Sequence, residues 1–213
     1  MKRFWVMGSA LMTITFSQIG TVQAQQVIPD TTLNTQVQRS LNTFTITGGT
    51  ASGPNLFHSF QEFSIPTNGT AQFNLTHTPN ISTIFSRVTG GVTSSIDGTI
   101  QISNSANPVS LFLLNPSGIL LGPNARLNLG GSFIGTTAQS IRFADGTEWS
   151  ATNLSQPLLT LSVPVGLQMG SQPAAIQMQG NGHTLRVGSV RVTAGAGNSP
   201  TGLRVQPGKT LAL

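Results

Sequence analysis

The sequence is dominated by short segments in which apolar and polar residues alternate, with turn signals between them. A period of two indicates a β-strand with one buried face. Turn signals such as Asn68-Gly69 and Asp145-Gly146 separate the segments. Charged residues make up only 7% of the chain, against about 25% in typical proteins, which disfavours helical surfaces because these are rich in Glu, Lys and Arg. We therefore predict an all-β fold, with strands in the segments 62–65, 71–76, 96–102, 125–129, 159–163, 176–178, 185–187, 190–192, 203–205 and 211–213.

Three all-β architectures accommodate short strands with frequent turns. A sandwich remains possible on pattern alone. A membrane barrel needs aromatic girdles, and this chain has no Tyr and only two Trp. A parallel β-helix fits best, because Gly and Asn turns, uncharged polar outer faces and stacked apolar interiors are what its coils require. The tripeptide Leu-Arg-Val, found at 185–187 and again at 203–205, suggests a coil of about 18 residues.

Two segments depart from the simple coil. Residues 25 to about 50 form a polar lead-in that we interpret as an N-terminal cap over the open edge of the stack. Leu111-Phe112-Leu113-Leu114 is apolar at every position, which indicates burial on both faces. Either an extra hairpin outside the coil covers its outer side, or strand pairing and a neighbouring loop do so.

The N-terminus has the pattern of a secretory signal peptide over residues 1–24. Lys2 and Arg3 precede an apolar stretch, and Val22-Gln23-Ala24 resembles a cleavage site. The stretch is too short to span a bilayer, and no later segment is long and apolar enough. After removal of Lys2 and Arg3, eight basic and five acidic residues leave a net charge of +3. The basic residues are scattered, which argues against nucleic-acid binding.

Five ordered motifs carry a resemblance to a known family. The chain resembles the N-terminal two-partner secretion domain of filamentous-haemagglutinin-type exoproteins, also called the haemagglutination activity domain. The resemblance covers roughly residue 28 to the end, and its motifs are Asn55–Phe60, Thr78–Ile81, Ile84–Gly91, Leu111–Ile119 and Gly122–Leu127.

The resemblance implies a right-handed parallel β-helix with an N-terminal cap and an extra-helical β-hairpin over residues 25–213. It also implies a Gram-negative outer-membrane transporter partner whose periplasmic domains capture the chain during export. The exported domain would then fold and template a long exoprotein of the adhesin type, secreted or held at the cell surface. The ligand of that exoprotein is not specified by the resemblance.

Two turns correspond to the family's marker motifs. Thr78-Pro79-Asn80-Ile81 stands for Asn-Pro-Asn-Leu, and residues 115–119 stand for Asn-Pro-Asn-Gly-Ile with Ser117 at the middle Asn. Such turns either close the coils or form part of the transporter's recognition surface. The candidate residues are Pro79, Asn80, Ile81, Asn115, Pro116, Ser117, Gly118 and Ile119. We also consider the strand-forming segment Ala71–Thr76 as a place where the transporter adds a strand to the extended chain.

The sequence offers little for catalysis. Asp145 and Glu148 are the closest pair among five acids, and a solvated turn is their ordinary role. The three histidines lack metal-ligand spacing. We therefore expect no enzyme activity, no metal and no cofactor. The alternative is a free-standing β-helical module that binds or degrades carbohydrate. The last residues, 211–213, have a strand pattern without a closing cap, which suggests a fragment of a longer product.

Overall fold

The computed structural model describes residues 26–154, 159–180 and 203–213. Within these ranges the chain forms strands and turns and no helix, which confirms the all-β prediction. No helix able to cross a membrane occurs there. The predicted signal peptide and the strands predicted at 185–187 and 190–192 lie outside the described residues.

The strands are short and follow one another through tight turns. They are β1 (Val27–Pro29), β2 (Thr35–Ser40), β3 (Thr43–Gly48), β4 (Thr50–Ser52), β5 (Asn55–Phe63), β6 (Thr70–Asn74), β7 (Thr83–Val88), β8 (Ser94–Ile96), β9 (Thr99–Ser103), β10 (Ser110–Leu114), β11 (Ile119–Leu121), β12 (Arg126–Asn128), β13 (Phe133–Thr136), β14 (Ser140–Phe143), β15 (Glu148–Ser150), β16 (Pro164–Gln168), β17 (Ile176–Met178) and β18 (Leu211–Ala212).

Three parallel sheets form the walls of a β-helix. Face 1 contains β5, β7, β10, β13 and β18; face 2 contains β8, β11 and β17; face 3 contains β3, β6, β9 and β12. The chain visits the faces in the order 1, 2, 3, and then begins the next coil. A parallel bridge between Ile65 and Ile96 places the first coil on face 2 as well. The predicted β-helix is therefore confirmed.

The coils are longer than the repeated tripeptide suggested. On face 1, Leu56 pairs with Ile84 and Ile84 with Leu111, which are steps of 28 and 27 residues. The expected step of about 18 residues is wrong for the described coils. The step includes three strands and three corners, and the corners differ in length, so no short repeat is visible in the sequence.

The interior is a column of apolar side chains stacked in register. On face 3, Ile46 pairs with Phe73 and Phe73 with Ile102, so side chains from successive coils lie above one another. Phe73 is fully buried and its ring lies near Phe60 and Phe63. Burial of such a side chain contributes about 1.5–3 kcal/mol. The column supplies the main driving force for closing the coils.

The N-terminal cap covers the open edge of the stack, as predicted. β2 pairs antiparallel with β3, and β1 and β4 pair antiparallel with β5. The chain turns from β3 into β4 through Gly48 and Gly49, with φ of 69° and 77°. A Cβ at Gly48 would lie 2.2 Å from the carbonyl oxygen of Asn34, so only glycine fits this tight return.

An extra-helical sheet covers the outer side of face 1. β14 and β15 form an antiparallel hairpin, and β16 pairs on the other side of β14. Beneath them a second apolar cluster includes Phe57, Phe85, Leu114 and Trp149, with Phe112 packed against it. Phe57 and Phe85 stack at 5.1 Å between ring centres. The hairpin predicted to cover Leu111–Leu114 is therefore confirmed, with β16 as an additional strand.

Candidate recognition turns and the buried Arg87 network

The turn at 115–119 is built into the body of the β-helix. Asn115 has 0% of its surface exposed. Its Nδ2 donates to the carbonyl oxygen of Val92 at 3.0 Å and to Ser94 Oγ at 2.9 Å, which ties the third coil to the second. Its Oδ1 accepts from the Ser117 amide at 2.9 Å. This local Asx turn sets the corner between faces 1 and 2.

The remaining residues of this turn help to form the same corner between faces 1 and 2. Gly118 has a φ of 112°, a conformation that only glycine adopts without strain. Ile119 is buried and begins β11 inside the apolar column. Pro116 and Ser117 are half-buried. The geometry is that of a structural corner with little exposed surface.

The turn at 78–81 is different, because its tip points into solvent. Pro79 and Asn80 are exposed, and Ile81 is buried in the apolar column. The carbonyl oxygen of Pro79 accepts from the Ala106 amide at 3.0 Å, and the Thr78 amide donates to Leu75. Within the described residues the Asn80 side chain has no hydrogen-bond partner. The backbone of the turn is fixed, and the Asn80 side chain is free for a partner.

The two turns lie at different corners of the coil. Residues 78–81 connect face 3 to face 1, and residues 115–119 connect face 1 to face 2. The structure therefore does not bring the eight predicted site residues together into one surface.

A buried cation forms a polar centre that the sequence analysis missed. Arg87 on β7 has 0% of its surface exposed. Its Nε donates to Ser59 Oγ at 2.7 Å, its Nη1 to the carbonyl oxygen of Ser150 at 2.5 Å, and its Nη2 to Thr32 Oγ1 at 3.0 Å. Its Cζ lies 5.1 Å from the ring centre of Trp149, within the range of a cation–π contact.

Asp30 supplies the matching negative charge. Its carboxylate accepts from Ser59 Oγ at 2.5 Å, from Thr89 Oγ1 at 2.8 Å and from Thr32 Oγ1 at 2.7 Å. Burial alone would raise the pKa of Asp30, but these hydrogen bonds outweigh it and the pKa is lowered. Burial lowers the pKa of Arg87, and the charge of Asp30 opposes that effect.

We call Asp30, Thr32, Ser59, Arg87, Thr89 and Ser150 the Arg87 network. It joins the cap, the first two coils and the extra-helical sheet across 120 residues of sequence, from position 30 to position 150. In the sequence Arg87 was one of several scattered bases. The pairing of a buried Arg with an acid in the lead-in is not visible without the fold.

Comparison with known proteins decides the family. Residues 25–213 match the family described as the TPS secretion domain. The chain is a two-partner secretion (TPS) domain. A solved structure that resembles it is the HMW1 secretion domain from Haemophilus influenzae, with 26% sequence identity and a TM-score of 0.40 over 55% of this chain and 27% of that chain. No protein in a search of curated proteins matches.

Membership of this family establishes the broad role. A TPS domain is a secretion domain, and it implies passage through the periplasm and, in general, an outer-membrane transporter partner. The aligned part spans only 27% of the HMW1 chain.

Three further acids of this TPS domain accept hydrogen bonds within a turn, between strands or between coils. Asp145 accepts from the Thr147 amide at 3.0 Å and also from Thr160, and Glu148 accepts from Ser140. Hydrogen bonds from Thr160 and Thr147 lower the pKa of Asp145. Asp97 accepts from Thr67 and Asn124 of the neighbouring coils. The described residues contain no group of three potential metal ligands.

His58 lies inside the TPS domain and not at its surface. It is buried on β5, its ring lies 5.4 Å from that of Phe73, and its Nδ1 is 3.3 Å from Thr35 Oγ1. Burial lowers the pKa of His58 to about 3, so the ring is neutral at neutral pH.

Proposed function

We propose that this TPS domain targets a larger exported exoprotein of the adhesin type for secretion and nucleates its folding. Residues 1–24 act as the signal peptide that brings the chain to the periplasm, and residues 25–213 are recognised there by an outer-membrane transporter with periplasmic domains. The exoprotein is then released or held at the cell surface. The observation that carries this proposal is the family match over residues 25–213.

The architecture supports the folding role. Each coil hydrogen-bonds along its faces to the coil before it, and β17 and β18 already stack on β11 and β13. In such a stack the energy of each coil depends mainly on its neighbours. A folded domain therefore offers an edge on which following coils can assemble.

The two marker turns have separate tasks in this proposal. The exposed tip formed by Pro79 and Asn80 contacts the transporter, because it combines a fixed backbone with a free amide side chain. The turn at 115–119 holds the third coil to the second, because Asn115 is buried and makes its hydrogen bonds within the domain.

The segment Ala71–Thr76 fits capture of the chain before folding. In the folded domain most of it forms β6, which pairs with β3 on one side and β9 on the other. Neither edge is available to a transporter strand after folding. We therefore propose that this segment is bound in the extended chain, and that Phe73→Pro abolishes capture of the unfolded domain.

Paired variants test the division between the turns. Asn115→Ala removes three hydrogen bonds and leaves buried groups unsatisfied, each at a cost of about 1–3 kcal/mol. We expect a loss of about 2–4 kcal/mol, and about 2–4 °C in melting temperature per kcal/mol in a domain of this size. Asn80→Ala should leave melting unchanged and reduce both export and binding to the transporter's periplasmic domains.

The readouts are export into the medium, melting of the refolded domain, and affinity of the refolded domain for the transporter's periplasmic domains. Affinity of the unfolded domain is measured separately for Phe73→Pro. Unchanged export of Asn80→Ala would contradict the proposal that the turn at 78–81 contacts the transporter. Lost transporter binding by Asn115→Ala with unchanged melting would move recognition to the second turn.

A further inference from the structure

The tip of the cap hairpin combines an exposed apolar side chain with an unfavourable backbone conformation. β2 ends at Ser40 and β3 begins at Thr43, so Leu41 and Asn42 form the turn between them. Leu41 has a φ of 52°, in the left-handed region where the Cβ of an L-residue meets its own backbone. Its side chain is 90% exposed. The turn therefore keeps a leucine at a position that disfavours both its backbone and its side chain.

The neighbouring residue would adopt this conformation at lower cost. Asparagine tolerates a positive φ better than leucine does, yet the positive φ falls on Leu41 and not on Asn42. Elsewhere in the described chain, Asn68 and Asn104 take this conformation, with φ of 60° and 58°. Strained residues persist where the surrounding structure imposes the conformation, and they concentrate at functional sites.

Contacts on both sides of the turn hold its tip in place. Arg39 Nε donates to the carbonyl oxygen of Leu41 at 3.1 Å, and Arg39 Cζ lies 5.3 Å from the ring centre of Phe44. The carbonyl oxygen of Asn42 accepts from the Thr70 amide at 2.8 Å, which ties the turn to the first coil. The Leu41 side chain is thus presented to solvent on a fixed support.

The tip lies at the end of the stack to which no following coil adds. The strand order on face 3 is β12, β9, β6, β3 and β2, so β2 and β12 stand at opposite ends. β17 and β18, which flank the stretch of chain that is not described, belong to the fourth coil beyond β12. Coils that follow β18 therefore leave the cap end accessible to a partner.

We propose that Leu41 inserts into an apolar pocket on the periplasmic domains of the outer-membrane transporter. The inference rests on the proposed function and adds a contact at the cap to the one at Pro79 and Asn80. Within residues 26–91, Leu41 is the one large apolar side chain that is exposed. A second copy of the chain would need about 800 Å² of interface per partner, and a lipid surface would need a broader apolar face or several basic residues. A single apolar anchor on a rigid support suits a pocket.

Leu41→Asn separates recognition from stability in the refolded 25–213 domain. It removes the apolar anchor and introduces a residue that tolerates the positive φ, so we expect the melting temperature to rise by roughly 2–4 °C. The affinity for the purified periplasmic domains of a two-partner outer-membrane transporter should fall about tenfold or more, because a buried leucine side chain is lost from the interface. Leu41→Met keeps the apolar volume and should bind within about threefold of the unchanged domain.

Leu161→Asn is the matched control. Leu161 is also an exposed leucine, with 69% of its surface accessible, but its φ is not positive. The control should leave the affinity within about twofold and should not raise the melting temperature. The pair of Leu→Asn variants therefore distinguishes a specific contact at the cap from a general loss of exposed apolar surface.

The inference is overturned if the unchanged folded domain does not bind the periplasmic domains, or if Leu41→Asn binds as tightly as the unchanged domain. Weaker binding with a lower melting temperature would also overturn it, because Leu41 would then stabilise the cap itself. Self-association that Leu41→Asn abolishes would assign the pocket to a second copy and would count equally against the inference. Export of the unchanged chain with and without the transporter tests the secretion role separately, so normal binding by Leu41→Asn beside transporter-dependent export removes only the contact at Leu41.

Discussion

Replacing Arg87 with Ala should destabilise the domain by about 3–5 kcal/mol. The guanidinium makes three hydrogen bonds and one cation–π contact in a fully buried site. Hydrogen bonds to charged groups are worth about 1.5–3 kcal/mol each, but burial of the charge itself costs several kcal/mol. The net loss is therefore smaller than the sum, and we expect it near the cost of removing one charge from a buried polar network.

The assay is urea unfolding of the refolded domain in a double-mutant cycle with Asp30→Ala. Because the two charges share Ser59 and Thr32, we expect a coupling energy above about 1 kcal/mol. Arg142→Ala, on the exposed surface, should change stability by less than about 0.5 kcal/mol. A loss below about 1 kcal/mol for Arg87→Ala, or additive single and double variants, would refute the network as a stabilising unit.

The Arg87 network also bears on the order of folding. Its partners extend from Asp30 in the cap to Ser150 in the extra-helical sheet. A chain exported only as far as its first coils lacks Ser150, whose carbonyl oxygen accepts the hydrogen bond from Arg87 Nη1. If the network is a stabilising unit, fragments that end before β14 should unfold at lower urea concentrations than the complete domain.

Two further predictions concern the apolar column. Burial lowers the pKa of His58 to about 3, whereas the pKa in the unfolded chain is about 6.5. On acidification the unfolded chain therefore takes up a proton before the folded domain does. The free energy of unfolding falls as pH drops from about 6.5 towards 3. Urea unfolding at pH 5 should give a stability about 2 kcal/mol below that at pH 7, and an equal stability at both would contradict a neutral buried ring. Phe73→Ala should cost about 3–5 kcal/mol in the same assay, while Leu41→Ala, at a side chain 90% exposed, should cost less than about 0.5 kcal/mol; similar losses for both would rule out the stacked interior.

Much of the fold follows from the alternation of residues. Ala71, Phe73 and Leu75 were predicted to share a buried face, and all three are buried. The apolar run Leu111–Leu114 correctly indicated a covered outer side. Both results depend only on local burial, because the period of two fixes which side chains point inwards whatever the neighbouring strands are.

The strand predicted from alternation at 159–163 is wrong. Leu161 and Val163 were predicted to belong to a strand, but they lie before β16 and are 69% and 64% exposed. An alternating pattern shows that a segment has an apolar side, but it does not show whether another part of the fold packs against that side. Strand partners, coil length and the burial of Arg87 likewise depend on contacts between residues far apart in the sequence.

Export with and without the transporter tests the central claim most directly. The chain, with residues 1–24 in place and fused to a reporter, is produced in a Gram-negative host with a two-partner outer-membrane transporter or with an empty vector. The account predicts that the fusion accumulates in the medium or on the cell surface only when the transporter is present, and otherwise remains in the periplasm. Equal export in both hosts would contradict the secretion-address role.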